Sequence, residues 1–261
     1  MRLPIYQVDA FTDHLFGGNP AAVCPLEQWL ETATMQSIAA ENNLAETAFF
    51  VANGSGFDLR WFTPALEVDL CGHATLATAH ILFEHLGYKS NRIIFFTRSG
   101  ELIVERVGDA YRMDFPSQPP VTDGVPADLI PALEISGAQY VGQSVNYYFV
   151  ALADQQAVEQ TSPDMRALAK LEKIGVIVSA PGDEVDFVSR FFAPKAGIDE
   201  DPVTGSAHCA LIPYWAERLG KHNLSAWQIS PRKGVLACEL VDDRVWIGGK
   251  AVTYLEGQIY V

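Results

Sequence analysis

An internal repeat is the feature that most constrains the fold of this chain of 261 residues. Four short segments recur in the same order, and the offset between the two copies stays within 130 to 134 residues. The pairs are RWFTP and RFFAP at 60–64 and 190–194, GHA and GSA at 72–74 and 205–207, EHLG and ERLG at 84–87 and 217–220, and RSG and RKG at 98–100 and 232–234. Because self-similarity at a fixed period is the signature of a repeated structural unit, the sequence predicts two pseudo-symmetric lobes.

Each copy predicts an α+β lobe in which a curved, mostly antiparallel sheet wraps around one central helix. An apolar strand leads to the arginine segment, a helix opens at the Gly-x-Ala motif, and further strands follow. The first helix, about 72–86, is apolar nearly all round, which is typical of a buried helix, and Gly87 is expected to end it. The second helix, about 205–219, contains Pro213, which is expected to kink it or restart a turn.

The domain boundaries follow from the repeat and from a proline-rich stretch between the copies. We expect an N-terminal lobe at 1–118, an inter-lobe connection at 119–139 and a C-terminal lobe at 140–261, whose last strand can cross back to the first lobe. The cleft between the two lobes is the expected place for chemistry, because equivalent helix ends would then face one gap.

Charge and cysteine content exclude several kinds of partner. The formal net charge is −14, which argues against nucleic acid and anionic membranes, because both attract a positive surface. The four cysteines, at 24, 71, 209 and 238, form no CxxC pair, so reduced thiols in a cytoplasm are expected. The first residues lack the apolar run of a secretory signal, and no apolar run is long enough to span a bilayer.

Two glycines, Gly72 and Gly205, begin the equivalent helices. A helix N-terminus presents free backbone N–H groups and the positive end of the helix dipole, which together favour a bound anion such as a carboxylate. Both glycines can instead serve tight turns only. The polar side chains around the two turns favour a site over that reading, although a cap histidine, a turn aspartate or a helix-start serine is ordinary when taken singly. They are Asp69, Cys71 and His73 at the first turn, and Asp199, Glu200, Asp201, Thr204, Ser206 and His208 at the second.

Glu46 stands just before the apolar strand TAFFV at 47–51. A carboxylate there can be partly removed from water and suited to proton transfer, although the residues alone favour a solvated turn residue. His73, Asp201 and His208 can meet as metal ligands, but the chain lacks HExxH, HxH and clustered Cys/His spacings, so no metal is expected. It also lacks the glycine-rich motifs of dinucleotide-binding and P-loop proteins, so no such cofactor is expected.

Four segments in order resemble the phenazine-biosynthesis PhzF-like family, and more distantly the diaminopimelate epimerase architecture. They are GNPAAV at 18–23, NLAET at 43–47, LCGHAT at 70–75 and EDPVTGSA at 200–207. The resemblance covers essentially the whole chain. It implies two pseudo-symmetric lobes, a frequent homodimer, and a relationship to a cofactor-free isomerase that acts on dihydro-3-hydroxyanthranilate.

The resemblance also implies roles for individual residues. The catalytic glutamate of the family matches Glu46, with His73 and Asp201 in support. Substrate binding is implied for the glycines and the serine of the two helix starts, and we add three further residues of the matching motifs. The substrate-binding candidates are Gly72, Gly205, Ser206, Asn19, Cys71 and Thr204.

The repeat helps to choose between two proton-transfer chemistries. Racemases with two catalytic thiols take one cysteine from each lobe, but the repeat partner of Cys71 is Thr204, and Cys209 lies about one turn further into the second helix. We therefore predict a cofactor-independent isomerase of a small carboxylate-bearing metabolite, with Glu46 as the acid–base group. The alternatives are a racemase or epimerase built on Cys71 with a partner other than cysteine, and a non-catalytic ligand-binding or interaction module.

Overall fold

The strands and helices divide between two units of the chain. A computed structural model describes all residues from 1 to 261. The first unit comprises Met1–Asp114 and Gly248–Val261, and the second comprises Phe115–Ile247. The C-terminal strand thus belongs to the unit that contains the N-terminus. The stretch 119–139 belongs to the second unit, whose apolar core includes the fully buried Leu129 and Leu133.

The first unit is mainly strands, with one helix of 11 residues and one of 13. Its elements are β1 Arg2–Ala10, β2 Asn19–Leu26, α1 Thr32–Asn42, β3 Glu46–Asn53, β4 Gly56–Phe62, β5 Glu67–Val68, α2 Gly72–Glu84, β6 Arg92–Thr97, β7 Gly100–Val107, β8 Ala110–Pro116 and, from the chain end, β17 Ala251–Tyr260. The second unit has three short helices and one long one. Its elements are α3 Leu129–Ala132, β9 Tyr140–Gln143, β10 Tyr147–Ala151, α4 Gln155–Gln160, α5 Met165–Leu168, β11 Gly175–Pro181, β12 Phe187–Ala193, β13 Ile198–Glu200, α6 His208–Leu219, β14 Asn223–Gln228, β15 Gly234–Val241 and β16 Arg244–Gly249, with 3₁₀ turns at Pro194–Ala196 and Gly205–Ala207.

The two units repeat one strand-pairing pattern. In the first unit β2 runs parallel to β3, β3 is antiparallel to β4, and β4 pairs antiparallel with β5 and parallel with β6, which is antiparallel to β7. In the second unit β10, β11, β12, β13, β14 and β15 pair in the same order and with the same directions. The predicted α+β class with duplicated, sheet-rich lobes is therefore confirmed.

A bidentate ion pair repeats with the topology. Arg60 on β4 places Nε 2.7 Å and Nη2 2.8 Å from the two carboxylate oxygens of Glu67 on β5. Arg190 on β12 makes the same two contacts with Glu200 on β13, at 2.7 and 2.8 Å. The arginine segment that revealed the repeat thus ties the same pair of strands together in both units.

Side-chain alternation divides the sheet of the first unit into two faces. Ala22 and Phe49 pack with Met35 and Ile38 of α1. Successive residues of a strand point to opposite faces, so the neighbours of these residues are turned to the face where α2 packs against β1, β2, β3 and β17. Every residue of α2 except the last is buried, as its largely apolar sequence predicts, and Gly87 ends the turn that follows in the left-handed region at φ 65°.

The second helix begins later than expected and passes through its proline. The turn at Gly205–Ala207 is 3₁₀, and the α-helix starts at His208. The reason is that the Thr204 carbonyl accepts from Nδ1 of the His208 ring at 2.9 Å, while the backbone N–H of His208 donates to nearer carbonyls. Pro213 does not interrupt α6. Proline lacks the N–H that would bond the carbonyl of residue 209, and the backbone N–H of Gln118 donates to that carbonyl instead, at 2.8 Å.

None of the helices combines the length and the apolar character that a membrane-crossing helix requires.

Candidate functional site

Glu46 is the first residue of β3 and lies on the face that α2 covers. It pairs in register with Ala21 of β2, whereas the next residue, Thr47, pairs with Ala22, which belongs to the core beside α1. The Glu46 side chain is only 14% exposed, and its Oε2 lies 3.1 Å from Nε2 of His73. The start of β3 therefore holds a carboxylate in a largely buried position, although the residues that follow it in the strand are apolar.

His73 is the second residue of α2 and is surrounded by polar groups on both sides of its ring. Its Nδ1 lies 3.2 Å from Nδ2 of Asn19 and 3.5 Å from Sγ of Cys71. Asn19 is completely buried at the start of β2, and Cys71 is buried at the N-cap of α2. Glu46, His73, Cys71 and Asn19 thus form one cluster within the first unit.

The cluster favours a charged imidazole. Burial acts to lower the pKa of His73, but the neighbouring Cys71 and Glu46 outweigh burial and raise this pKa well above its usual value. Burial, assisted by the Glu46 carboxylate, raises the pKa of the Cys71 thiol to about 11. The raised pKa of His73 favours its protonated ring, and the raised pKa of Cys71 favours its neutral thiol. Glu46 Oε2 and His73 Nε2 are both buried, and the two atoms face each other as an ion pair.

The same cluster contains three kinds of metal ligand. Glu46, Cys71 and His73 each offer one donor atom, and the three donor atoms all lie within 4.8 Å of one another. The sequence alone suggested His73, Asp201 and His208 as a possible ligand set, and its local spacings did not indicate a metal. The geometry assembles a different set, from the start of β3 and the start of α2.

Asp201 and Thr204 meet in the second unit. The Thr204 hydroxyl donates to Oδ2 of Asp201 at 2.6 Å. The buried Gln228 side chain joins the two ends of this turn, because its Nε2 donates to the Asp201 carbonyl at 2.8 Å and its Oε1 accepts from the Thr204 backbone N–H at 2.7 Å. Ser230 adds a hydrogen bond from its hydroxyl to the Pro202 carbonyl at 2.8 Å.

Ser206 lies in the 3₁₀ turn that follows, and its Oγ is 2.7 Å from the Tyr147 hydroxyl at the start of β10. Gly205 begins that turn, as Gly72 begins α2. His208, the next residue after the turn, is completely buried, and burial lowers its pKa to about 4, so its ring is neutral.

Of the predicted site residues, the structure brings Glu46, His73, Cys71 and Asn19 together around the start of α2. Asp201 and Thr204 form a second group, and Ser206 contacts a residue outside the prediction. Sequence reasoning missed Gln228, which holds the second group, and Tyr147, which contacts Ser206; both make these contacts over a long sequence separation. No motif marks either residue, and the roles of all these side chains stay predictions.

The fold places the chain in a class, the duplicated α+β proteins with an epimerase-like fold. A hydroxyproline epimerase from Agrobacterium vitis shares the fold at a TM-score of 0.63 and 10% identity, with 99% of this chain and 92% of that chain covered. A structure described as a phenazine biosynthesis protein of the PhzF family from Enterococcus faecalis superimposes at a TM-score of 0.96 with 48% identity, and both chains are covered completely.

The sequence identifies the family within this class. Residues 8–257 match the PhzC-PhzF family, described as phenazine biosynthesis-like protein, and the chain belongs to it. An uncharacterized isomerase of Pseudomonas aeruginosa is 50% identical over 261 residues, which is 100% of both chains. The predicted family is confirmed. The prediction that this chain is an enzyme of the isomerase class is confirmed as well.

Proposed function

We propose that this protein is a cofactor-independent isomerase that moves a proton between two atoms of a small carboxylate-bearing metabolite. Glu46 acts first as general base and then as general acid. The observation that carries the proposal is the buried pairing of Glu46 with His73, in which an acid–base group is held at the N-terminus of a buried helix.

The positive charge of the His73 imidazolium decides which member of the pair accepts the proton. A carboxylate removes a proton from carbon only when it is ionised, and a neighbouring positive charge favours the ionised form. The ring is held on its other side by Asn19 and Cys71. We assign to His73 the holding of the Glu46 side chain and the offer of a positive charge to the electron density that develops on the substrate.

The start of α2 supports binding of the substrate carboxylate. Cys71 occupies the N-cap position without a side-chain cap hydrogen bond, and a helix N-terminus with free N–H groups attracts anions. We assign this role to the backbone around Gly72. In the second unit we assign the binding of polar substrate groups to Asp201, Thr204, Ser206 and the backbone of Gly205, which Gln228 and Tyr147 hold in place.

One observation supports a second candidate function. Cys71 Sγ lies 3.5 Å from Nδ1 of His73, a contact that a racemase or epimerase built on a single thiol would use. The neutral state of the thiol disfavours it, because the thiolate is the reactive form.

The test is proton exchange in heavy water. The protein is incubated in D₂O with pooled small carboxylates, and carbon-bound deuterium is followed by mass spectrometry. Wild-type protein should label one compound and convert it to an isomer, whereas Glu46→Gln should do neither while keeping the thermal unfolding midpoint of wild type. Labelling that persists in Glu46→Gln contradicts the assignment of the base.

Two further expectations concern the oligomeric state and the cellular compartment of the protein. The resemblance supports a homodimer, which light scattering coupled to size-exclusion chromatography measures directly. A reducing compartment such as the cytoplasm is supported by four cysteines that are all buried and all free.

A further inference from the structure

We propose that two copies of this chain dock through the free edge of β17, with the two strands antiparallel and related by a two-fold axis at Gly257. The inference stands on the structure of the first unit alone and does not depend on the proposed function. It assigns the expected homodimer a particular surface and a particular strand register.

β17 is the last strand at one edge of the sheet in the first unit. The pairings of that unit run in the order β17, β1, β2, β3, β4, β6 and β7. β17 pairs with β1 along its whole length, Ala251–Tyr260 against Arg2–Ala10, and its other side has no strand partner. Such an edge presents a row of backbone N–H and C=O groups that a further strand can pair with.

The sequence of this edge lacks most of the features that keep edge strands from pairing. Lysine and proline commonly protect such edges, but the stretch AVTYLEGQIYV at 251–261 contains no lysine, arginine or proline. A bulge interrupts the ladder with β1 at Tyr254, because Thr253 pairs with Val8 and Leu255 already pairs with Gln7. The regular stretch that is open to a partner therefore begins at residue 255.

Apolar side chains are exposed along the same edge. Tyr254, Leu255, Tyr260 and Val261 are all exposed, and no large hydrophobic side chain of the chain is more exposed than Tyr260, at 74%. The exposed Phe16 extends the patch, since its ring packs edge-on against Tyr254 with the centroids 5.8 Å apart. A contiguous exposed apolar patch is typical of an interaction surface.

The order of the residues makes this stretch complementary to itself, which favours a second copy as the partner. A two-fold axis at Gly257 places this glycine opposite its own copy. Leu255 then lies opposite Ile259 and Glu256 opposite Gln258, and each pair occurs twice because the interface is symmetric. Opposite residues of an antiparallel pair share one face of the sheet. The register thus matches apolar with apolar and a carboxylate with an amide donor, without like charges in opposition.

A groove beside β17 gives the apolar pairs a place to pack. Its volume is about 340 Å³, and Leu255, Gly257 and Ile259 line it along the strand, opposite Ile5 and Leu44. A two-fold axis perpendicular to the sheet keeps each face on its own side, so the second copy turns its residues 255 and 259 to the groove face. The second copy therefore covers apolar surface on both sides of the axis.

A cysteine at the axis tests the register. Directly opposite residues of an antiparallel pair have Cα atoms about 4.5–5.5 Å apart, and disulfides span roughly 4.4–6.8 Å. Position 257 has room for a side chain, because Leu255 Cδ2 is the nearest atom to an added Cβ, at 3.7 Å. Mild oxidation should therefore convert Gly257→Cys into a covalent dimer on a non-reducing gel. Wild type should give none, since its four cysteines are all buried.

Tyr260→Cys is the matched control for crosslinking. It lies on the same strand and is more exposed than residue 257, but it is three residues from the axis, so its two copies would be roughly 20 Å apart. It should stay uncrosslinked under the conditions that crosslink Gly257→Cys.

Substitutions at Gln258 test the same register through charge. Gln258→Glu places a carboxylate opposite Glu256 twice, and it should raise the dimer dissociation constant roughly 2- to 30-fold in analytical ultracentrifugation. Gln258→Lys should lower that constant by a similar factor. Gln156→Glu is the control, because Gln156 is exposed in the second unit and the substitution adds the same charge. It should dissociate as wild type does, and all variants should keep the wild-type thermal unfolding midpoint.

Three results would overturn the proposal. One is a wild-type protein that stays monomeric at its highest soluble concentration, since the edge would then serve no second copy. Another is a dimer in which Gly257→Cys crosslinks no faster than Tyr260→Cys. The third is a dimer whose dissociation constant is the same for Gln258→Glu and Gln258→Lys, because both of these results would place the contact between copies elsewhere.

Discussion

The hydroxyl oxygen of Tyr147 lies 2.7 Å from Oγ of Ser206. Tyr147 begins β10, and Ser206 lies in the 3₁₀ turn that precedes α6. The Tyr147 ring also packs edge-on against Phe191, with the ring centroids 4.9 Å apart. A serine hydroxyl that is free to rotate can point its single proton in several directions, so a fixed partner on one side decides where that hydroxyl can meet a ligand.

Tyr147→Phe should weaken catalysis while sparing the fold, because it removes this hydroxyl and keeps the ring contact with Phe191. A typical hydrogen bond contributes a net 0.5–1.5 kcal/mol, so kcat/KM for a substrate found in the heavy-water screen should fall roughly 3- to 10-fold. Ser206→Ala should have a similar effect, and the double variant should lose little more than either single one. Tyr148→Phe is the control, since Tyr148 packs in the apolar core of the second unit. Losses that simply multiply in the double variant would show that the two hydroxyls act separately.

Cys71→Ala should retain turnover within a few-fold of wild type. The proposed mechanism moves the proton on Glu46, and the thiol only lines the ring of His73. If the enzyme were a racemase built on Cys71, the Cys71→Ala variant would lose activity completely, because no other cysteine lies in the cluster. Steady-state kinetics separates the two mechanisms, and complete loss in a variant that unfolds at the wild-type temperature would favour the thiol.

The sequence predicted those features of the fold that depend on short-range patterns. The repeat revealed the duplicated topology, and the largely apolar 72–86 segment predicted the burial of α2. The glycines after both long helices, Gly87 and Gly220, are both left-handed at φ 65°, as their position after an apolar helix suggests. These predictions succeed because they depend on residues within one or two turns of each other.

Predictions failed where a particular side-chain contact or a distant residue decides the outcome. The late start of α6 depends on the His208 ring, and its continuity past Pro213 depends on Gln118, which lies about 90 residues earlier. Glu46 is a comparable case, because its residue type and its place before a strand favour exposure. Only the covering helix α2 removes it from water. Family resemblance named Glu46, whereas residue chemistry alone did not.

The duplicated ion pairs predict unequal losses of stability. Arg190→Met should destabilise the protein by roughly 3 kcal/mol, because it leaves a partly buried Glu200 without its partner. The substitution also removes the hydrogen bonds that the Arg190 guanidinium donates to three carbonyls at the end of α4. They are the carbonyls of Val158, Glu159 and Thr161, at 3.3, 3.3 and 2.7 Å.

Arg60→Met should cost less, roughly 2 kcal/mol, because Arg60 has no such set of carbonyls and Glu67 keeps a second partner in Arg98 at 2.8 Å. Chemical denaturation measures both losses, and the exposed Arg166→Met should stay within about 0.5 kcal/mol of wild type. Equal losses at positions 60 and 190 would mean that the α4 carbonyls contribute nothing.

Two buried neutral histidines predict that acid weakens the fold before the carboxylates do. Burial lowers the pKa of His208 and of His80 to about 4, whereas an unfolded histidine titrates near 6.5. Between pH 6 and 4.5 the unfolded chain therefore binds more protons than the native one, and the free energy of unfolding falls as the pH falls. The slope approaches about 1.4 kcal/mol per pH unit for each histidine. His73 adds little in this window, because its raised pKa keeps the native ring protonated and the unfolded ring is already mostly protonated below pH 6. Urea unfolding at several pH values measures the slope. His208→Gln should reduce it by about half, since glutamine cannot bind the extra proton, and an unchanged slope in that variant would show that His208 is not the group that senses acid.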